Sequence, residues 1–291
     1  VIIMSSKRLS ATAVACASLL FVAACATKGA DKPAADTAAA AAAAPNVVTF
    51  KAVDFAFEGP DTIPAGLTTI RMDAGGKELH QLSIFRIDSG KTYDEVSAAL
   101  KSPNGPPPKW FVEVVGVNPP VPGHTAEVTA NLDAGRYMML CFIPSPDGVP
   151  HIAKGMVKPL TVIGAAVAAA EPKADVQMTL TDYDFVLSTP FTAGQHTIRV
   201  VNTAPQAHEV FLVRLAPGKS AQDLVKWVDK MQGPPPAEPM GGVTGLASGG
   251  YAYFPAQLEA GGSYALLCFL PDAKDGKPHV MHGMVKEFKV S

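Results

Sequence analysis

Ala65-Gly66-Leu67-Thr68-Thr69-Ile70-Arg71 returns 128 residues later as Ala193-Gly194-Gln195-His196-Thr197-Ile198-Arg199. The same offset pairs His80 with His208, Arg86 with Arg214, Gly105-Pro106-Pro107-Pro108 with Gly233-Pro234-Pro235-Pro236, and Gly155-Met156-Val157-Lys158 with Gly283-Met284-Val285-Lys286. Tyr137 and Cys141 meet Tyr264 and Cys268 at 127. A repeat of this length is a whole domain, and 291 residues suit two domains of roughly 100–150 residues each. The expected boundaries are 46–163 and 176–291, with residues 164–175, rich in Ala and carrying Glu171-Pro172-Lys173, as a linker.

Within each repeat, short runs with period-two character are separated by Gly, Pro and Asp. Val47 to Phe55, Leu67 to Met72, Gln81 to Ile87, Arg136 to Ile143 and Met156 to Ile163 are examples. That pattern predicts an all-β chain of two β-sandwiches in tandem. Thr92-Tyr93-Asp94-Glu95 and Ser220-Ala221-Gln222-Asp223 have the form of capping boxes and predict one short helical insertion in each. The Gly-Pro-Pro-Pro stretch that follows each one ends the helix. Hydrophobic residues at 48% supply the cores, and Lys+Arg 24 against Asp+Glu 26 leaves no basic field for a nucleic-acid partner.

The first 25 residues read as a lipoprotein signal peptide: Lys7 and Arg8, an apolar run from Leu9 to Phe21, then Val22-Ala23-Ala24-Cys25. The run is short for a bilayer span. Cys25 is the expected lipidation site; by resemblance to enterobacterial lipoproteins, which an Asp at the next position retains at the inner membrane, Ala26 implies outer-membrane attachment, on the periplasmic side or the cell surface. An ordinary signal peptide cleaved near Ala24 or Ala26 is the alternative. Residues 26–45 hold no residue able to anchor a core and are expected to be a flexible spacer tethering an exported body to the membrane.

Each repeat carries a His, a Cys, a second His and a Met in that order: His80, Cys141, His151 and Met156, then His208, Cys268, His279 and Met284. Two imidazoles, a thiolate and a weak axial thioether form the donor set of a blue-copper centre. Of 4 cysteines, Cys16 and Cys25 lie in the signal, so one remains per domain and no bridge within a domain can form. A metal-bound thiolate accounts for an unpaired cysteine in an exported chain. Taken singly, the same residues also read as a small buried Cys, a packing Met and loop histidines. Met281 and His282 are expected either as a looser Cu(I) site with His279 and Met284 or as loop decoration.

Asn202-Thr203-Ala204-Pro205-Gln206-Ala207-His208-Glu209-Val210 resembles the cupredoxin turn that carries the first ligand His. Tyr264-Ala265-Leu266-Leu267-Cys268-Phe269 resembles the strand carrying the ligand Cys, and His151-Ile152-Ala153-Lys154-Gly155-Met156 is similar to the His, then Gly-Met, ending of rusticyanin-like members. The resemblance implies two Greek-key cupredoxin-like sandwiches, the eight residues above as metal ligands, and copper as the cofactor, one per domain. Nine residues separate Cys141 from His151, and ten separate Cys268 from His279, where the family places two to four. These turn-rich insertions either bulge outward and return the His to the metal or hold it out of reach.

Copper oxidases and nitrite reductases of the family place a further His beside the ligand Cys, whereas here Cys141 lies between Leu140 and Phe142 and Cys268 between Leu267 and Phe269. Only His124 and His196 are unassigned, too few for a multinuclear centre. An electron carrier with a redox protein partner is therefore expected rather than an enzyme. Copper sequestration or delivery, and a metal-free scaffold, are the alternatives.

Overall fold

A computed structural model describes residues 43–101, 108–228 and 230–291. The signal peptide, Cys25, most of the spacer and the first Gly-Pro-Pro stretch lie outside the described residues. Among the described residues, no helix is long and apolar enough to cross a membrane.

The first repeat forms β1 (Asn46–Val53), β2 (Ala56–Glu58), β3 (Thr62–Ala74), β4 (Leu82–Ile87), α1 (Tyr93–Lys101), β5 (Phe111–Val117), β6 (Thr125–Leu132), β7 (Gly135–Leu140) and β8 (Val157–Val167). The second forms β9 (Val176–Thr181), β10 (Asp184–Leu187), β11 (Gly194–Asn202), β12 (His208–Leu215), α2 (Ala221–Val228), β13 (Ala237–Leu246), β14 (Tyr251–Leu258), β15 (Ser263–Leu267) and β16 (Val285–Lys289).

One face of each sandwich is β1, β3 and β6, or β9, β11 and β14; the other is β8-β7-β4-β5, or β16-β15-β12-β13. The two repeats join edge to edge on both faces, where β6 meets β14 at Thr129↔Tyr253 and β5 meets β13 at Val117↔Val243. The strand β3 turns the corner between faces, pairing with β6 through Gly66–Asp73 and with β8 through Thr62–Gly66. The 16 strands thereby form one hydrogen-bonded system.

Alternation decides what each strand buries. Phe50, Ile70, Met72, Ile84, Tyr137, Met139 and Leu160 of the first repeat enter one core together with Val200, Leu212, Phe254, Tyr264 and Leu266 of the second. Residues of the opposite parity pack under the helices: Phe85, Ile87, Met138 and Leu140 against Val96 of α1, and Val213, Leu215, Ala265 and Leu267 against Leu224 of α2.

Both capping boxes form reciprocally. The Thr92 N–H donates to Glu95 Oε2 at 2.9 Å while the Glu95 N–H donates to Thr92 Oγ1 at 3.2 Å. Ser220 and Asp223 do the same at 2.9 and 3.2 Å, so the shorter Asp reaches as well as Glu.

The segment expected as a linker from Gly164 differs. Strand β8 continues to Val167, which pairs with Gly66, and Ala169 bridges Ala43. Alanine-rich composition reports a lack of core side chains, but backbone pairing with a strand edge needs none. Further along, Asp175 receives the Nδ1 of His196, whose Nε2 lies 2.8 Å from the Thr192 carbonyl. His196 thus serves the junction, and His124 is exposed beside the Pro122 carbonyl.

Candidate metal centres

In the first repeat, His80 lies in the turn before β4, Cys141 follows β7, and His151 opens a 3₁₀ turn (His151–Lys154) before β8. All three are fully buried. One donor atom from each lies within 4.8 Å of the others, with His80 Nδ1 3.1 Å from His151 Nδ1 and Cys141 Sγ 3.4 Å from His151 Nδ1.

The long insertion bulges outward and returns its histidine. Pro144 and Pro150 bridge its neck, the His151 N–H donates to the Ile143 carbonyl at 2.9 Å, and the Ile152 N–H donates to Cys141 O at 2.8 Å. Met156 is fully buried in the same core as Cys141, and its backbone is tied to both neighbours. Its N–H donates to His151 O at 2.9 Å and its carbonyl accepts from the Cys141 N–H at 3.3 Å.

The outer nitrogens are held by carboxylates. His80 Nε2 lies 2.7 Å from Asp54 Oδ1 and His151 Nε2 lies 2.9 Å from Glu78 Oε2. Asp54 also accepts the N–H groups of Lys77 and Glu78, at 3.0 and 3.3 Å. Burial pulls the Asp54 carboxyl upward, but these donors together with His80 outweigh it and leave its pKa below the ordinary value. The turn passes so close that a Cβ on Gly76 would collide with Asp54 and His80.

The second repeat builds the same triangle from His208 at the start of β12, Cys268 after β15 and His279 in the 3₁₀ turn His279–His282. The two Nδ1 atoms are 3.0 Å apart, and Cys268 Sγ lies 3.2 Å from His279 Nδ1 and 3.9 Å from His208 Nδ1. A Pro271↔Pro278 bridge closes the longer loop. Met284 is fully buried, and its carbonyl accepts the Cys268 N–H at 3.3 Å.

Here Asp182, 128 positions after Asp54, lies 3.1 Å from His208 Nε2. His279 Nε2 has no hydrogen-bond partner, and its nearest carboxylate oxygen is Asp272 Oδ2 at 3.6 Å. That oxygen already accepts the Tyr183 hydroxyl at 2.6 Å and Gln206 Nε2 at 3.0 Å. These bonds hold the Asp272 carboxyl well below the usual range.

The arrangement is one that an ion completes. A carboxylate only accepts, so the imidazole facing it donates from Nε2 and leaves Nδ1 as a bare acceptor. The second repeat fixes one such lone pair, on His208 Nδ1, 3.0 Å from His279 Nδ1; the first brings two face to face across 3.1 Å. A single thiol hydrogen satisfies only one of them. Protonating a ring is disfavoured, because burial keeps His80 and His208 below the ordinary imidazole value and takes His279 down to about 4. Burial also pushes the Cys141 thiol up to about 11 and Cys268 well above its usual value, so without metal both are protonated and poorly nucleophilic. These separations of 3.0–3.9 Å between donors suit atoms sharing one ion at bonds of about 2.0–2.3 Å. Three of the four predicted donors thus converge in each repeat, and the Met is packed beside them.

Sequence reasoning missed the carboxylates. Asp54-Phe55-Ala56-Phe57 and Asp182-Tyr183-Asp184-Phe185 share the 128-residue offset and mark one pair. Phe55 and Tyr183 stand edge-on to His151 and His279, with ring centroids 4.9 and 5.7 Å away. Among the apolar residues nearest Cys141 in the chain, Met139 shares its core. Met138 and Leu140 face α1 by strand alternation, and Phe142 is exposed. Met281 is 63% exposed, and His282 turns outward to Asp275, so neither joins the inner triangle.

No protein-family model matches the chain, and no curated protein does. Among solved structures it is similar to dithionite-reduced auracyanin from Roseiflexus castenholzii, at 19% identity, 42% of this chain, 99% of that chain and a TM-score of 0.30. It is also similar to a multicopper oxidase, at 12% identity over 84% and 88% of the two chains with a TM-score of 0.25. A copper nitrite reductase from Nitrosomonas europaea gives 16% identity over 84% and 93%, with a TM-score of 0.22.

Proposed function

We propose that the chain is a two-domain, cupredoxin-like electron carrier with one type-1-like copper site in each domain. The observation that carries this is the pair of fully buried His-Cys-His triangles, in each of which one ligand-capable atom per residue lies within 4.8 Å of the others. Soft thiolate with two imidazoles favours copper over harder ions, and Met156 and Met284 would supply the weak thioether of that donor set. Copper held by these residues would supply one-electron chemistry with little rearrangement.

The chain's own residues provide the rest. Asp54, Glu78 and Asp182 fix the tautomer and orientation of their imidazoles, which keeps the donors aimed before any ion arrives. The joined sheets and the shared core hold the ligand loops against rigid strands and exclude water from Cys141 and Cys268. Binding displaces the proton of each thiol.

We further propose export and membrane attachment through a lipid on Cys25, with a redox protein as partner. The test is Cu(II) loading of the mature protein followed by its visible spectrum. An intense thiolate-to-copper band supports the carrier. A colourless Cu(I) complex identifies sequestration or delivery instead, and no stoichiometric metal identifies a scaffold.

A further inference from the structure

Outside the inner triangle, the second repeat brings His282, Asp275 and Asp272 together, with one ligand-capable atom of each within 4.8 Å of the others. His282 Nε2 lies 3.1 Å from Asp275 Oδ1. The side chains step from surface to interior: Asp275 is 36% exposed, His282 30% and Asp272 1%.

The first repeat shows what belongs there. Lys154, 128 positions before His282, places its ammonium 2.8 Å from Asp147 and 4.8 Å from the centre of the Phe55 ring. Asp147 and Phe55 correspond to Asp275 and Tyr183. Ser145 stands where the second repeat has Asp272, since the Ser145 and Asp272 N–H groups donate to the matching carbonyls of Val149 and Lys277. The first repeat therefore carries a built-in cation beside one carboxylate. The second removes that cation, adds a carboxylate and puts an imidazole in its place. The second independent sign is His279 Nε2, fully buried, without a hydrogen-bond partner, and directed at Asp272 from the inner side.

We propose that Asp272, Asp275 and His282 form a second metal site, for a divalent transition-metal ion, at the mouth of the inner site. One imidazole with two carboxylates suits Cu(II), Zn(II) or Ni(II). Asp272 Oδ1 accepts the Lys274 N–H at 2.8 Å, on the oxygen not bound by Tyr183 and Gln206. Asp275 also meets Lys277 Nζ, at 3.3 Å on Oδ2, a surface ion pair that a divalent cation displaces readily. Because Asp272 touches both this site and His279, the site is a loading port for the inner one; that role rests on the copper reading above, whereas ion binding itself does not.

The test uses full-length mature protein carrying Cys141→Ser and Cys268→Ser, titrated calorimetrically with Zn(II) while the His282 imidazole resonances are followed. We expect one ion that shifts His282, and an affinity at least tenfold weaker when His282→Lys, the residue of the first repeat, is added. Equal binding with His282→Lys, or Zn(II) uptake that leaves the His282 resonances unmoved, overturns the proposal. Should the cysteine variants unfold, electron paramagnetic resonance of the Cu(II)-loaded natural chain decides. The proposal requires a thiolate-free Cu(II) signal that His282→Lys removes, and its persistence in that variant contradicts it. If His282→Lys abolishes outer binding while no thiolate-to-copper band appears in the natural chain, the outer site stands and the inner copper reading falls.

Discussion

The two centres use the same inner donors but hold them from opposite sides. In the first repeat the carboxylate for the second histidine is Glu78, on the turn before β4, and the loop position is Ser145. In the second repeat position 206 is Gln, and the carboxylate has moved across to the loop as Asp272, where Gln206 and Tyr183 bind it. One carboxylate is kept near the second imidazole in both, yet only Glu78 makes the bond, at 2.9 Å against 3.6 Å for Asp272. The difference teaches that a nearby charge and an orienting hydrogen bond are separable. In the first repeat a hydrogen bond aims the second imidazole, while in the second His279 Nε2 is left without one behind a surface cluster.

That contrast breaks most visibly in metal affinity. Glu78→Gln should weaken copper binding in the first repeat by about 10–100-fold, the usual effect of losing an orienting partner. Asp272→Ser should cost the second repeat less, because its contact with His279 is longer. Adding Gln206→Glu to Asp272→Ser should bring the second site to the affinity of the first. Competition titrations on chains that retain one ligand cysteine measure each.

The two halves meet along β5–β13 and β6–β14, so polar contacts across that junction should matter to both. Asn118 at the end of β5 donates across the junction to the carbonyls of Val210 and Val243 at 3.0 and 3.1 Å and to Glu209 at 3.3 Å. Asn118→Ala leaves those acceptors buried and should cost about 1–3 kcal/mol. Denaturant unfolding should show one transition moving as a whole; two separating transitions would mean that the repeats fold independently.

Another difference lies next to the cysteines, where the first repeat has Gln81 and the second Glu209. Burial raises the Glu209 carboxyl to about 7. A raised acid contributes stability in full below its unfolded value near 4.5 and loses it as pH rises through about 7. Glu209→Gln should therefore flatten the loss of metal-free stability between about pH 4.5 and 7. His279 acts in the other direction. Its depressed value, about 4, contributes stability above 6.5 that is lost as pH falls toward 4. Metal-free His279→Gln protein should show a shallower acid limb in thermal melts.

The smallest effect is at the surface. Lys154→Ala loses an ion pair and a contact over Phe55, worth about 0.5–1 kcal/mol together. Lys154→His should create no Zn(II) site, because Ser145 offers no carboxylate.

Much of this was legible in the residues. Period-two runs and a fixed offset mark the strands and the tandem arrangement because alternation and repetition are local, countable signals. Both capping boxes are readable for the same reason. The inner donors are visible as residue types in a recurring order. What lies behind them is not, because Glu78 and Asp272 reach equivalent histidines from different segments and share no offset. Spacing also misleads about the loops: nine or ten residues can close on themselves through a Pro–Pro bridge and return a histidine as well as a short loop does. The continuation of β8 through Val167 depends on a partner edge that composition does not report.

Copper stoichiometry on three proteins tests the central claim most directly: the mature chain, Cys141→Ala and Cys268→Ala, each loaded with Cu(II) and washed of weakly held ions. Two coppers with an intense thiolate-to-copper band in the parent, and one copper with a reduced band in each variant, is the predicted result. A parent that retains no copper, or variants that keep the full band, would contradict it.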